Sequence, residues 1–134
     1  MTRPRLLIAE DHAATQEALC ELLAADHEIV ALVGDGQAAI EAFDRLHPDL
    51  VLLDISMPRL GGIAAARQLR RSMPALKFIF VTAHADPLYV DEAFRIGARG
   101  YVLKQAMISE LLDAVRAVLA GGTYRSARVN GHVA

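Results

Sequence analysis

The chain has 134 residues, 54% hydrophobic and 22% charged, with a formal net charge of −2 at pH 7. That length buries one core and not two; no apolar run reaches the roughly 18 residues of a membrane span; and the acidic balance lacks the basic excess behind sequence-independent nucleic-acid affinity. A soluble, cytoplasmic single domain is expected, with no direct nucleic-acid binding and no membrane contact, since the apolar stretch after the basic Met1-Thr2-Arg3-Pro4-Arg5 ends at Glu10-Asp11, too soon for a signal peptide.

Leu6-Leu7-Ile8-Ala9 opens as a strand, and a helical pattern over 13–25 follows it; the lone Cys20 lies on that helix and has no partner for an internal disulfide. Ile29-Val30-Ala31-Leu32-Val33 is the second strand, and Asp35 stands where it can cap a helix over 37–46. Leu50-Val51-Leu52-Leu53 leads to a helix over 62–73. Phe78-Ile79-Phe80-Val81 leads to one over 87–96, announced by the Asp86-Pro87 cap and stopped by Gly97. Tyr101-Val102-Leu103 is the fifth strand. The helix over 107–120 carries Ile108, Leu111, Leu112, Val115, Val118 and Leu119 at helical spacing and stops at Gly121-Gly122, but near Ala106 or Met107 it lacks a side-chain cap, with Ser109 late for that role. The strands are continuous apolar runs, which means burial on both faces, as in a parallel sheet covered by helices. The expected architecture is a single α/β domain over residues 1–121, doubly wound as (βα)₅. Residues 122–134, with little apolar periodicity, are expected to be a linker stub or disordered tail.

In an open parallel sheet, ligands bind beyond the carboxyl ends of the strands. The residues at those ends are Glu10-Asp11, Asp54, Thr82 and Lys104, all polar or charged. Gathered carboxylates repel, by about 4 kcal/mol per pair at 4 Å and an effective dielectric near 20, and a divalent cation removes that penalty. All-oxygen ligands suit Mg²⁺, or Mn²⁺, rather than zinc; Asp11 and Asp54 are expected as direct ligands and Glu10 through water. A carboxylate is also a nucleophile toward phosphorus once the charge of the transferring group is neutralised, and here the Lys104 ammonium and the Thr82 hydroxyl would share its oxygens with the metal.

The runs Ile8-Ala9-Glu10-Asp11-His12, Val33-Gly34-Asp35-Gly36, Leu53-Asp54-Ile55-Ser56-Met57-Pro58-Arg59-Leu60-Gly61-Gly62, Val81-Thr82-Ala83-His84 and Gly97-Ala98-Arg99-Gly100-Tyr101-Val102-Leu103-Lys104 make residues 5 to about 121 resemble the receiver domains of two-component response regulators. The resemblance implies a flavodoxin-like strand order 2-1-3-4-5, Asp54 as phosphoacceptor, Glu10, Asp11, Asp54 and the Ser56 carbonyl around Mg²⁺, Thr82 and Lys104 as the hydroxyl and the cation, and Tyr101 as the switch aromatic. It implies a sensor histidine kinase as phosphodonor and a homodimer on phosphorylation. The ending Ala120-Gly121-Gly122-Thr123-Tyr124 is most similar to the NarL-type subfamily, whose members continue into a DNA-binding domain that controls transcription; this chain stops before one could form. Gly61, where the family often has a small polar residue, should loosen the loop after Pro58.

By the same resemblance, Thr82 would donate to a phosphoryl oxygen, Tyr101 would turn from exposed to buried, and the surface of the fourth helix, fifth strand and fifth helix would change as a population shift. Ser56 lies two residues after Asp54 and His84 two after Thr82, so both should border the path of the hydrolysing water and tune the acyl phosphate's lifetime. His12 reads as a loop or helix-start residue. An aspartyl-phosphate hydrolase would carry a second aspartate where Ser56 stands, so turnover of external phosphoesters is not expected. A dinucleotide-binding module would need a glycine-rich turn where the chain has Glu10-Asp11-His12-Ala13. A receiver used without phosphorylation would usually lack one of the key residues, and none is missing.

Overall fold

The computed structural model describes residues 2–130, in which five β/α units follow one another: β1 (Arg5–Ala9), α1 (Ala13–Leu23), β2 (Glu28–Val33), α2 (Gly36–Leu46), β3 (Leu50–Leu53), α3 (Gly62–Ser72), β4 (Phe78–Thr82), α4 (Pro87–Arg95), β5 (Gly100–Leu103) and α5 (Met107–Leu119), with β6 (Tyr124–Arg125) and a helical turn, α6 (Ala127–Asn130), beyond them. All pairings are parallel and the strand order is 2-1-3-4-5-6. From β1 the chain winds one way to β2 and the other way from β3 onward. The switch point of the sheet therefore lies between the carboxyl ends of β1 and β3.

Alternate residues of the apolar strands feed two cores. Leu7, Val51, Leu53, Phe78 and Phe80 pack toward α2, α3 and α4, around Phe43, Leu69 and Val90. Leu6, Ile8, Leu50, Leu52 and Val102 pack toward α1 and α5, around Leu19, Leu111 and Val118. Burial on both faces thus holds for β1, β3, β4 and β5, but not for β2, whose residues are half-buried or exposed and whose Leu32 is 42% accessible. It is the edge strand, so one side has no neighbour to cover it.

The local signals have visible partners. Asp35 Oδ1 accepts the Ala38 amide at 2.8 Å at the start of α2, and Asp86 Oδ1 accepts the Leu88 amide at 2.9 Å ahead of Pro87. Gly97 and Gly121 end their helices at φ 105 and 98, in the left-handed region. α5 has no side-chain cap; a 3₁₀ turn over Lys104–Ala106 runs into it instead, and Ser109 Oγ donates to the Ala106 carbonyl at 3.1 Å.

The expected five-stranded sheet gains a sixth strand. The Tyr124 amide donates to the Arg99 carbonyl and the Ser126 amide to the Tyr101 carbonyl, both at 2.9 Å, closing the free edge of β5. Ser126 is fully buried, its Oγ accepting from the Leu103 amide and donating to Glu110; Val129 is 1% accessible and belongs to the core that includes Phe43, Leu69 and Val90; Arg125 lies over the Phe94 ring at 4.1 Å. Two strand residues are too few to show periodicity, which is why the pattern reads as a tail while the edge of β5 recruits it. Residues 131–134 of that expected tail lie outside the described residues.

Candidate functional site

Register delivers the strand-end residues to one place. Ala9 is level with Leu53, and Thr82 with Leu103. The next residues out are therefore Glu10 beside Asp54 at the switch point, and Lys104 beside the end of β4. The Glu10 amide donates to the Val33 carbonyl at 2.9 Å and the Asp54 amide to the Ala9 carbonyl at 3.1 Å, so both acids are anchored through their backbones. Glu10, Asp54 and Thr82 are buried. Asp11, by contrast, faces solvent from the rim.

Lys104 reaches across the sheet edge and places Nζ 2.8 Å from Asp54 Oδ2 and 2.8 Å from Glu10 Oε1. Burial works against the ammonium, but its bonds and charge interactions with Asp54 and Glu10 outweigh that and hold its pKa above the ordinary lysine value. The contact with Asp54 is a directed hydrogen bond. Glu10 Oε1 is buried and has Lys104 Nζ at 2.8 Å and no other partner. The cost of burying that oxygen is offset by the ammonium, and it remains a hard carboxylate donor. Together with the oxygen donors of Asp11 and Asp54, it makes a site that fits Mg²⁺.

His12 caps the start of α1 by position, as expected, and also does more. Its amide donates to Glu10 Oε2 at 2.9 Å, and its Nδ1 lies 3.1 Å from Glu10 Oε2 and 3.3 Å from Asp11 Oδ1. The ligand atoms of Glu10, Asp11 and His12 form one cluster within 4.8 Å, whereas the Asp54 carboxylate turns toward Lys104. The imidazole was not legible as a neighbour of the acids, because a residue next in sequence to a strand end can point either way. An open cleft lined by Asp11, His12, Ile55, Ser56, Met57 and Pro58 leads to the site.

The two flanking residues meet: Ser56 Oγ and His84 Nε2 are 2.7 Å apart. The Ser56 amide lies 3.4 Å from Asp54 Oδ1, and the His84 amide 3.4 Å from Thr82 Oγ1. His84 also packs on the Tyr89 ring at 4.5 Å and accepts the Tyr101 hydroxyl on its carbonyl at 2.6 Å. Tyr101 is fully buried, in the inward orientation; burial first, then the charges of Asp54 and Asp86 and the nearby Tyr89, push its phenol well above the ordinary tyrosine value. Cys20 is half-buried on α1 and burial raises its thiol pKa, which suits a packed side chain rather than a nucleophile.

The loop from Asp54 to α3 is held more firmly than Gly61 suggests. Gly61 itself is the residue before α3, the Gly62 amide donates to the Ile55 carbonyl at 2.9 Å, and a Cβ on Gly62 would stand 2.0 Å from the Asp54 carbonyl oxygen. Only glycine lets the start of α3 come so near the acid. Ion pairing of Arg59 with Asp35, not foreseen in the sequence, fixes the loop's far side.

Residues 6–116 match the family model described as the response regulator receiver domain. The chain is 35% identical over 122 residues to the transcriptional regulatory protein DegU of Brevibacillus brevis, covering 90% of this chain and 52% of that protein. It is 36% identical over 123 residues to the oxygen regulatory protein NreC of Staphylococcus haemolyticus, covering 90% and 57% respectively. The chain thus spans little more than half the length of these relatives. Among solved structures, a LuxR-family two-component response regulator from an Aurantimonas species superposes with a TM-score of 0.93 at 29% identity, covering 98% of this chain and 96% of that one. Among the described residues, no helix is long and apolar enough to cross a membrane.

Proposed function

The chain belongs to the response regulator receiver domain family, and from that premise we propose that it is a phosphorylation switch that takes a phosphoryl group from a sensor histidine kinase onto Asp54. The observation that carries the proposal is the placement of Lys104 Nζ 2.8 Å from both Asp54 and Glu10 at the switch point of the sheet. An Asp54 carboxylate oxygen forms the new O–P bond as the P–N bond to the donor imidazole breaks, and the imidazole keeps the electron pair. Glu10, Asp11, Asp54 and the Ser56 carbonyl would hold Mg²⁺, which when bound supplies the positive charge that offsets the phosphoryl oxygens. Lys104 leaves its contact with Asp54 to pair with one of those oxygens, and Thr82 donates its hydroxyl to another.

The switch runs from Thr82 through His84 to Tyr101. Tyr101 already stands buried in this structure, its hydroxyl on the His84 carbonyl, so drawing the end of β4 inward locks that orientation rather than creating it, and the faces of α4, β5 and α5 shift as a change of population. By analogy with the transcriptional regulatory protein DegU, the reader of that shift is a transcription output; pairing of the phosphorylated chain with a second copy belongs to the same proposal. Incubation with Mg²⁺ and acetyl phosphate, followed by intact-mass measurement, tests the reading. Wild type should gain one phosphoryl mass and Asp54→Asn none; an unmodified wild type, or a modified mutant, contradicts it.

A further inference from the structure

The segment between Asp54 and α3 has no regular structure and exposes Ser56, Pro58 and Arg59, so it ought to be the softest part of the site. Its tip is nonetheless tied to a neighbouring helix. Arg59 Nε and Nη2 both donate to Asp35 Oδ2, at 2.9 and 2.6 Å, while Asp35 Oδ1 accepts the Ala38 amide and caps α2. The Asp35 carboxylate is thereby engaged on both oxygens, and these bonds, with the amide first and Arg59 next, hold its pKa below the ordinary aspartate value. One residue on, the Gly36 amide donates to the Leu60 carbonyl at 2.8 Å, and a Cβ on Gly36 would stand 2.3 Å from that oxygen. The loop backbone lies directly on the first turn of α2.

Arg59 adopts φ 64, in the left-handed region that L side chains rarely enter. Glycine or asparagine would take that conformation with less strain, whereas arginine has no local reason to. What arginine offers instead is a fork long enough to reach Asp35 and planar enough to deliver two donors to it. The head of Arg59 is 71% exposed and that of Asp35 8%, so the pair is a modest one, open to salt on one side only.

We infer that Arg59 and Asp35 are positioning residues for the acceptor site: their pair clamps the tip of the 55–61 loop to α2 and so keeps the Ser56 backbone beside Asp54. The Ser56 amide, 3.4 Å from Asp54 Oδ1, sits between the clamped tip and the fixed Gly62 end. A tip released from α2 lets Ser56 drift, and a backbone carbonyl that must be caught from a moving loop binds a cation more weakly. The clamp itself is a property of the loop, while its consequence for Mg²⁺ rests on the phosphoacceptor reading proposed above.

Three variants separate the contributions. Arg59→Gly removes the side chain and relieves the strained φ; Arg59→Ala removes the side chain and keeps the strain; Asp35→Asn keeps the cap on α2, since asparagine caps as well as aspartate, and removes the charge. Amide hydrogen exchange of Ser56, Met57, Arg59 or its replacement, and Leu60, with the β3 amides as internal reference, should quicken by about two- to fivefold in each variant, most in Arg59→Ala. Mg²⁺ titration should show Kd raised by a similar factor, with any deficit in phosphoryl uptake confined to limiting Mg²⁺. Loop exchange unchanged in Arg59→Gly and Asp35→Asn overturns the clamp. Faster exchange with wild-type Mg²⁺ affinity, or a wild type that binds no Mg²⁺, overturns the positioning role. A wild type that binds Mg²⁺ but takes up no phosphoryl group refutes the proposed function and leaves the clamp to be decided by the exchange data.

Discussion

Ser56 Oγ and His84 Nε2 meet at 2.7 Å, a single hydrogen bond that joins the loop after Asp54 to the loop after Thr82. Because His84 also supports Tyr101 and stacks on Tyr89, the bond ties the acceptor loop to the switch aromatic and to α4.

The Ser56 end of that bridge lines the open cleft beside the acids, where the hydrolysing water is expected to approach Asp54. Ser56→Ala and His84→Ala should each shorten the lifetime of the phosphorylated form severalfold, and the double variant should be no shorter than the worse single one, because both lose one shared bond. The decay of the phosphorylated mass with time checks this; unchanged lifetimes, or fully additive effects, would show the two side chains acting separately or not at all.

Lys104 divides its ammonium between Asp54 and Glu10. Lys104→Met should slow phosphoryl uptake by about 10²-fold, the scale on which a preorganised donor acts on developing charge. Mg²⁺ should bind at least as tightly, since the variant removes the cation that competes for the same carboxylates. Parallel uptake kinetics and Mg²⁺ titration give the two numbers, and a fall in Mg²⁺ affinity would assign the lysine a structural role instead.

Tyr101 makes stability pH-dependent at the alkaline end. Its folded pKa is raised by burial and by Asp54, Asp86 and Tyr89, so the folded state favours the neutral phenol. That contribution is complete below the unfolded value near 10 and is lost as pH rises through the folded value. Urea unfolding should therefore show wild type weakening above about pH 10, with a shallower decline in Tyr101→Phe, which also forfeits the bond to the His84 carbonyl, worth about 1 kcal/mol near neutral pH. Lys104 titrates in the same range in both proteins, so the difference between them isolates the phenol.

The segment after Gly122 is held by the burial of Val129 and by Ser126 on β5. Val129→Asp should free it, costing about 2 kcal/mol of stability. Exchange of the Tyr124 and Ser126 amides should rise toward loop rates while the β1 and β3 amides keep their protection. Retained protection at Ser126 would mean that the strand pairing alone holds the segment.

The five β/α units were legible because each carries its own period and punctuation: apolar runs such as Leu50-Val51-Leu52-Leu53, the Asp35 and Asp86 caps, Gly97 and Gly121 as stops. Glu10, Asp54, Thr82 and Lys104 could be found because each directly follows an apolar run, and strand ends in a parallel sheet share an edge. What escaped depends on contacts between segments distant in sequence. Arg59 finds Asp35 across 24 positions, and Ser56 finds His84 across 28. Tyr124 and Arg125 become a strand only because β5 offers an edge. The half-exposed β2 misled for a related reason: Ile29-Val30-Ala31-Leu32-Val33 is as apolar as a central strand, and its edge position is set by the winding of the whole chain.

The proposed switch depends on Asp54 as the acceptor, and reductive trapping tests that most directly. After incubation with Mg²⁺ and acetyl phosphate, borohydride reduces an aspartyl phosphate to homoserine, and peptide mass spectrometry then reads the position. Homoserine at position 54, and at no other aspartate, is the predicted result; reduction at Asp11 or Asp35, or none anywhere in a chain that has gained phosphoryl mass, would contradict it.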